Sequence, residues 1–177
     1  MIVQSLIINF TCDFNLPLGV RSTSLQLYSR IKNEFNLDHI EMCCCCIFIG
    51  LKIEDIQEKF IEKFNFYFKR KIDENTLFLV ENKVIELLNF NFFFPNPYLA
   101  MYAIKHKHDL EKKVYAIKFS FDAAIKNLDR FLCLDLNQYK LIDLISHACG
   151  ITKADMKLFK ETKILKKDEL FKLLKIK

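Results

Sequence analysis

Four consecutive cysteines at positions 43–46 are the residues of this sequence best suited to chemistry, because thiolates bind metals and act as nucleophiles or redox groups. Cys43 and Cys46 have the C-x-x-C spacing, and His39 lies close by. No second C-x-x-C or H-x-x-x-H motif supplies the remaining ligands of a zinc site. We interpret the run as buried packing, with a metal site and a redox thiol as the alternatives.

The residues around the cysteines support this interpretation. The ten residues 42–51 are all apolar, sulfur-containing or glycine, and a helix that is apolar on every side is surrounded by other helices. Cysteine is among the most frequently buried residue types and packs as a small hydrophobe. The run therefore predicts a central helix.

The rest of the sequence supplies neither a paired nucleophile and base nor a phosphate-binding motif. His147 and Cys149 are two residues apart, so on a helix they face different directions. Neither G-x-G-x-x-G nor G-x-x-x-x-G-K-S/T occurs. We predict no catalytic residue, no metal site and no cofactor.

The elements that position these residues are predicted to be helices. Only three glycines and three prolines occur, and apolar residues recur at i, i+3, i+4 and i+7 along most of the chain. Asp38 with Glu41, and Thr152 with Asp155, have the spacing of capping boxes. We predict an all-α fold with helices near 2–12, 19–35, 39–50, 54–69, 75–90, 97–107, 110–129, 138–149, 153–162 and 167–176.

Charge and hydropathy restrict the partners. The net charge is +5, and residues 151–177 hold nine lysines against four acidic residues. These lysines flank leucines and phenylalanines at helical spacing, which favours an amphipathic helix with a solvated basic face over a nucleic-acid surface.

No apolar run reaches the ~20 residues that span a bilayer, and the start lacks a basic signal-peptide region. We expect reduced thiols and no membrane partner.

The two halves of the chain resemble each other weakly. The stretches 22–50 and 121–150 each contain a long amphipathic helix, a short turn with Asn and Asp, and an apolar helix ending in Gly. This pattern indicates two copies of one helical unit.

The segment CCCCIFIGLKIEDI resembles the central helix of a cyclin box, in which small apolar residues lead into a lysine and an acidic pair. Lys52 matches the lysine, and Glu54 and Asp55 match the acidic pair. ENKVIELLNFNFFFPNPYLAMY resembles the fifth helix of the box, with Glu81 at the family glutamate and Phe90 at the closing phenylalanine. Ile49 and Gly50 replace the usual Ala-Ser.

The resemblance implies a cyclin fold of two tandem five-helix bundles, the first at 1–95 and a shortened second at 96–177. It also implies a regulatory protein and not an enzyme, located in the nucleus, which forms a heterodimer with a cyclin-dependent kinase catalytic subunit and activates it. Among the transcription-associated cyclins the L and K classes are the most similar, and the T, H and C classes remain open. We do not expect nucleic acid as a direct ligand.

The expected kinase-binding residues lie on two helices. The resemblance implies that Lys52 and Glu81 hydrogen-bond the backbone of the mobile helix of the kinase and its flanking segment, with Glu54 and Phe90 nearby. Independently, the spacing of helix 75–90 gives a core stripe and a second apolar stripe interrupted by one carboxylate. The core stripe consists of Leu77, Val80, Val84, Leu87 and Leu88, and the second stripe of Phe78, Glu81 and Ile85.

Other interpretations remain open. Lys52 fits an ordinary cation at a helix C-terminus, and Glu81 fits a solvated surface charge. The whole chain also fits a TFIIB-like cyclin-fold general transcription factor that binds DNA and TATA-binding protein, although the paired C-x-x-C motifs of its zinc ribbon are absent. A thiol enzyme using the cysteine run is the third hypothesis.

Overall fold

A computed structural model of the chain describes residues 2–56, 59–94, 96–99, 101, 125–126 and 128–129. These residues form helices and connecting turns, and no strand occurs among them, so the all-α prediction is confirmed for this part of the chain. The five complete helices are α1 (Ile2–Asp13), α2 (Leu18–Ile31), α3 (His39–Ile53), α4 (Phe60–Phe68) and α5 (Glu74–Leu87). Apart from short helical pieces at 97–99, 101, 125–126 and 128–129, the helices predicted beyond residue 96 lie outside the described residues.

The chain divides into two compact units. One contains Met1–Asn96 together with Asp129–Gln138, and the other contains Pro97–Leu128 together with Tyr139–Lys177. In the second unit the side chains of Tyr98, Met101 and Leu128 are buried. The division into two cyclin boxes stays a prediction.

Helix α3 is the central element of the first unit. It packs against α1, α2, α4 and α5, and most extensively against α2. All four cysteines of the run are at most 1% exposed, and Ile47 is fully buried. The prediction that the cysteine run lies in the core is confirmed.

A complete capping box begins α3. The Asp38 carboxylate accepts hydrogen bonds from the backbone N–H groups of Ile40 and Glu41, and the Glu41 carboxylate accepts one from the Asp38 N–H. Arg70 then forms ion pairs with both carboxylates, at 2.5 Å from Asp38 and 3.1 Å from Glu41. The predicted capping box is confirmed, and it connects the start of α3 to the turn after α4.

The end of α3 differs from the sequence-based prediction. We expected a helix end at Gly50 and a new helix over 54–69, but α3 continues to Ile53 and α4 begins only at Phe60. Gly50 is an interior helix residue: a Cβ added to it would lie 2.5 Å from Ser24 Oγ. Its role is therefore to permit the close approach of α2, and not to end the helix.

One other predicted boundary and part of the predicted core were also wrong. Helix α2 ends at Ile31 and not at residue 35, and residues 32–34 form a turn. On α5, Leu77, Val80 and Val84 are buried as expected, but Leu87 is 43% exposed and Leu88 is only half-buried. The α5 core face therefore ends at Val84, one turn before the helix does.

Candidate docking surface

The C-terminal half of α3 and the middle of α5 bring two predicted site residues into direct contact. Lys52 Nζ lies 2.8 Å from Glu81 Oε1 and 2.7 Å from Glu81 Oε2, so the ammonium contacts both carboxylate oxygens. The Lys52 side chain is 46% exposed and the Glu81 side chain 18%. Glu81 is thus not a freely solvated charge, and this interpretation of it was wrong.

Two aromatic rings lie beside this ion pair. Lys52 Nζ is 4.5 Å from the centroid of the Phe48 ring and 5.3 Å from that of Phe78. The two rings meet edge to face, with 6.1 Å between centroids. An ammonium over a ring face is attracted by the ring quadrupole, so the rings and the carboxylate together hold Lys52 in one position.

The rest of this surface is apolar and partly open. Phe78 is 49% exposed, and Ile85 is half-buried on the same helix. We call the surface formed by Phe48, Lys52, Phe78, Glu81 and Ile85 the α3–α5 surface. It presents a fixed pair of charges among apolar side chains, which is an arrangement that protein interfaces use to combine binding energy with register.

Two predicted site residues have different surroundings. The carboxylate of Glu54 accepts a hydrogen bond of 2.6 Å from Thr23 Oγ1, and its other oxygen approaches Gly19 in the first turn of α2. There the carboxylate favourably faces the positive end of the α2 dipole. Phe90 follows the end of α5, is 76% exposed and has a backbone φ of 58°, so it makes no contribution to the core.

Sequence reasoning missed Phe48. It lies four residues before Lys52, and therefore one helical turn away on the same face of α3. This spacing was a usable signal, but Phe48 stood within an apolar run that we assigned entirely to the core.

The cysteine run has the surroundings of structural thiols. Burial raises the pKa of Cys45 to about 12, and it raises the pKa values of Cys43, Cys44 and Cys46 as well, with neighbouring thiols adding to the effect. Thiolates are the reactive and metal-binding form. No group of three or more possible metal ligands occurs among the described residues, and His106, His108 and His147 lie outside them.

A second polar cluster in the first unit was not predicted. Arg21 Nη1 lies 3.1 Å from Asp129 Oδ2, and both side chains are at most 10% exposed. The same guanidinium donates through Nε to Thr11 Oγ1 and through Nη2 to Cys12 Sγ. Because each of the three guanidinium nitrogens of Arg21 donates to a partner inside the fold, we assign this cluster a structural role.

No protein-family model matches this sequence, and no curated protein matches it significantly. No described helix is long and apolar enough to cross a bilayer. The resemblance to cyclins therefore rests on the quoted motifs alone.

Proposed function

We propose that this chain is a cyclin-type regulatory subunit, with a cyclin fold, that binds and activates a cyclin-dependent protein kinase in transcription or RNA processing in the nucleus. The observation that supports this proposal is the pairing of Lys52 with Glu81. The resemblance assigns both residues to kinase binding from motifs 29 residues apart, and their side chains meet on one partly exposed surface.

The α3–α5 surface has free capacity for a partner. Lysine has three N–H donors, and about half of the Lys52 side chain is exposed beside Glu81. The ammonium can therefore donate to a backbone carbonyl of the partner while it keeps its ion pair. The exposed half of Phe78 and the edge of Ile85 supply apolar area for the side chains of a docked helix.

The mechanism requires no chemistry from this chain. A kinase is active only when its Lys–Glu pair and its metal-binding Asp are in place, and the position of one mobile helix controls this. A subunit that binds the active arrangement more tightly shifts the population toward it. The α3–α5 surface would bind that helix, with Lys52 and Glu81 fixing its register.

A charge-swap experiment separates binding from folding. The variant Lys52→Glu/Glu81→Lys keeps an ion pair between α3 and α5 but reverses each charge toward the partner. Truncating one desolvated charge contact costs about 2–5 kcal/mol, so we expect the swap to weaken kinase binding by at least about 30-fold. Binding and kinase activity are measured with candidate catalytic subunits from the same source, and thermal melting checks the fold.

The matched control is Lys83→Glu/Glu86→Lys on the exposed side of the same helix. It changes the same charge types and should leave kinase binding intact. If no candidate kinase binds, or if both swaps reduce binding equally, the proposal is wrong.

A further inference from the structure

Phe66 on α4 is the most exposed of the large apolar side chains that the structure describes, at 85%. Its neighbours Phe64, Tyr67 and Phe68 pack against Phe10 of α1. Phe66 takes part in none of the ring contacts found among the described residues. It projects from the side of α4 opposite the buried Phe60 and Phe64, so packing within the fold does not account for it.

Basic residues are frequent in the sequence on both sides of Phe66. Residues 59–71 contain five basic residues and one acidic residue, Glu62. Lys69 follows directly after α4, and its N–H donates to the carbonyl of Phe66 at 3.4 Å, so the two residues are one turn apart. Lys69 and Lys71 are exposed, and neither takes part in an ion pair within the described part of the chain.

Arg70, in contrast, is occupied by Asp38 and Glu41. The two lysines on either side of it therefore supply exposed positive charge at the end of α4, while Arg70 holds the turn in place. Tyr67 is also held, because its hydroxyl lies 2.5 Å from Asp13 Oδ2. The most exposed ring of α4 is thus followed within five residues by two lysines without an ion pair in the described part of the chain.

We propose that this α4 surface, formed by Phe66, Lys69 and Lys71, binds single-stranded nucleic acid. Stacking of a base needs one accessible aromatic face, and lysines contact the phosphates on either side of it. The proposal goes beyond regulation of a kinase and uses none of the residues of the α3–α5 surface. It also departs from our sequence-based expectation, because only the fold reveals that Phe66 is exposed.

The shape of the patch favours single-stranded nucleic acid over a membrane as its partner. Membrane-surface helices bury a broad apolar face, but the opposite face of α4 is used in the core and only one of its rings is fully exposed. An acidic peptide would pair with the lysines but has no need of the ring. Glu62 lies one turn before Phe66, and its negative charge repels any polyanion. Removing this charge should therefore strengthen the binding of nucleic acid.

The test measures anisotropy of fluorescein-labelled oligo-dT and oligo-rU of about 12 nucleotides with the full chain, between about 50 and 200 mM salt. We expect Phe66→Ala to weaken binding by about 10-fold with an unchanged salt dependence, because it removes stacking only. Lys69→Gln/Lys71→Gln should reduce the slope of log K against log salt by about 1.4, from two phosphate contacts. Glu62→Gln should strengthen binding.

Phe93→Ala is the matched control, since Phe93 is 76% exposed elsewhere in the first unit. It should leave binding unchanged. Binding that is salt-sensitive but indifferent to Phe66→Ala would place the interaction on other lysines and overturn the proposal. Absence of binding, or binding only to vesicles of anionic phospholipid, would also overturn it. None of these outcomes bears on the kinase experiment, which uses a different surface and a different partner.

Discussion

At the scale of single residues, the contact between α2 and α3 combines two unusual features. Gly50 lets the helices approach closely, and Ser24 faces it with a hydroxyl that is fully buried. Ser24 Oγ is the one buried side-chain polar atom without a hydrogen-bond partner in the described part of the chain. A buried hydroxyl without a partner costs about 1–3 kcal/mol of desolvation, so this serine lowers the stability of the fold.

We therefore predict that Ser24→Ala stabilises the protein by about 1 kcal/mol. The change removes the unpaired hydroxyl, leaves the Cβ in place and substitutes a better helix former. Urea denaturation of wild type and variant measures the difference in the free energy of unfolding.

Ser22→Ala is the matched control on the same helix. Ser22 is equally buried, but its Oγ accepts a hydrogen bond of 2.8 Å from Gln26 Nε2. Removing this hydroxyl should lower the free energy of unfolding by about 1 kcal/mol. The same substitution two residues apart should thus have opposite signs, and a destabilising Ser24→Ala would contradict the assignment of its hydroxyl as unpaired.

At the scale of helices, four of the five described helices, all except α2, end in a left-handed residue that is not glycine. In these four helices the first left-handed residue at the C-terminal end has φ between 48° and 55°, and the two backbone hydrogen bonds of a Schellman motif close the end. These four residues are Asn15 after α1, Asp55 after α3, Lys69 after α4 and Asn89 after α5. A residue with a Cβ is disfavoured by about 1–2 kcal/mol in this conformation.

This feature explains why the helix ends were the least accurate part of the sequence-based interpretation. Glycine usually marks a helix C-terminus, but the chain has only three glycines, and Gly19 and Gly50 both serve helix packing. Asparagine, aspartate and lysine occur throughout the sequence, so the real stop positions carry no distinctive residue type.

We predict that Lys69→Gly raises the free energy of unfolding by about 1 kcal/mol, because it relieves the Cβ clash at φ 50°. The gain is reduced by the greater freedom of glycine in the unfolded chain. Thermal or urea unfolding measures the effect. Lys69→Ala removes the same charge but keeps the Cβ, so it should give no such gain; equal stabilisation by both variants would show that charge and not conformation limits stability here.

At the scale of the whole molecule, one buried ion pair joins residues that are far apart in sequence. Arg21 on α2 and Asp129 are 108 residues apart and meet inside the first unit. The first unit is therefore incomplete without a segment from beyond residue 128. A buried charge that loses its partner is strongly destabilising, typically by 3–5 kcal/mol.

We predict that Asp129→Ala lowers the free energy of unfolding by about 3–5 kcal/mol, which is a large part of the 5–15 kcal/mol available to a typical domain. Chemical denaturation measures the loss. The double variant Arg21→Met/Asp129→Leu should recover most of it, because neither charge is then buried.

The Lys52–Glu81 ion pair is the comparison for this prediction. Its lysine is about half exposed, so Lys52→Ala/Glu81→Ala should cost only about 1 kcal/mol or less. A loss below about 1 kcal/mol for Asp129→Ala would show that the buried pair does not hold the unit together.

The sequence by itself determined the features that depend on interactions between residues close together along the chain. The 3.6-residue periodicity located all five described helices, the Asp38–Glu41 spacing located a capping box, and the unbroken apolar run placed four cysteines in the core. Each follows from interactions within about one or two helical turns, which the order of residues contains directly.

The tertiary structure alone decided which distant residues meet. It paired Lys52 with Glu81 and Arg21 with Asp129, pressed Gly50 against Ser24, turned Glu54 toward α2 and left Phe66 exposed on α4. These contacts depend on how the helices pack side by side, and packing is set by the summed burial of many side chains from different helices. A local sequence pattern does not determine this summed burial, and both the α3–α5 surface and the α4 surface depend on it.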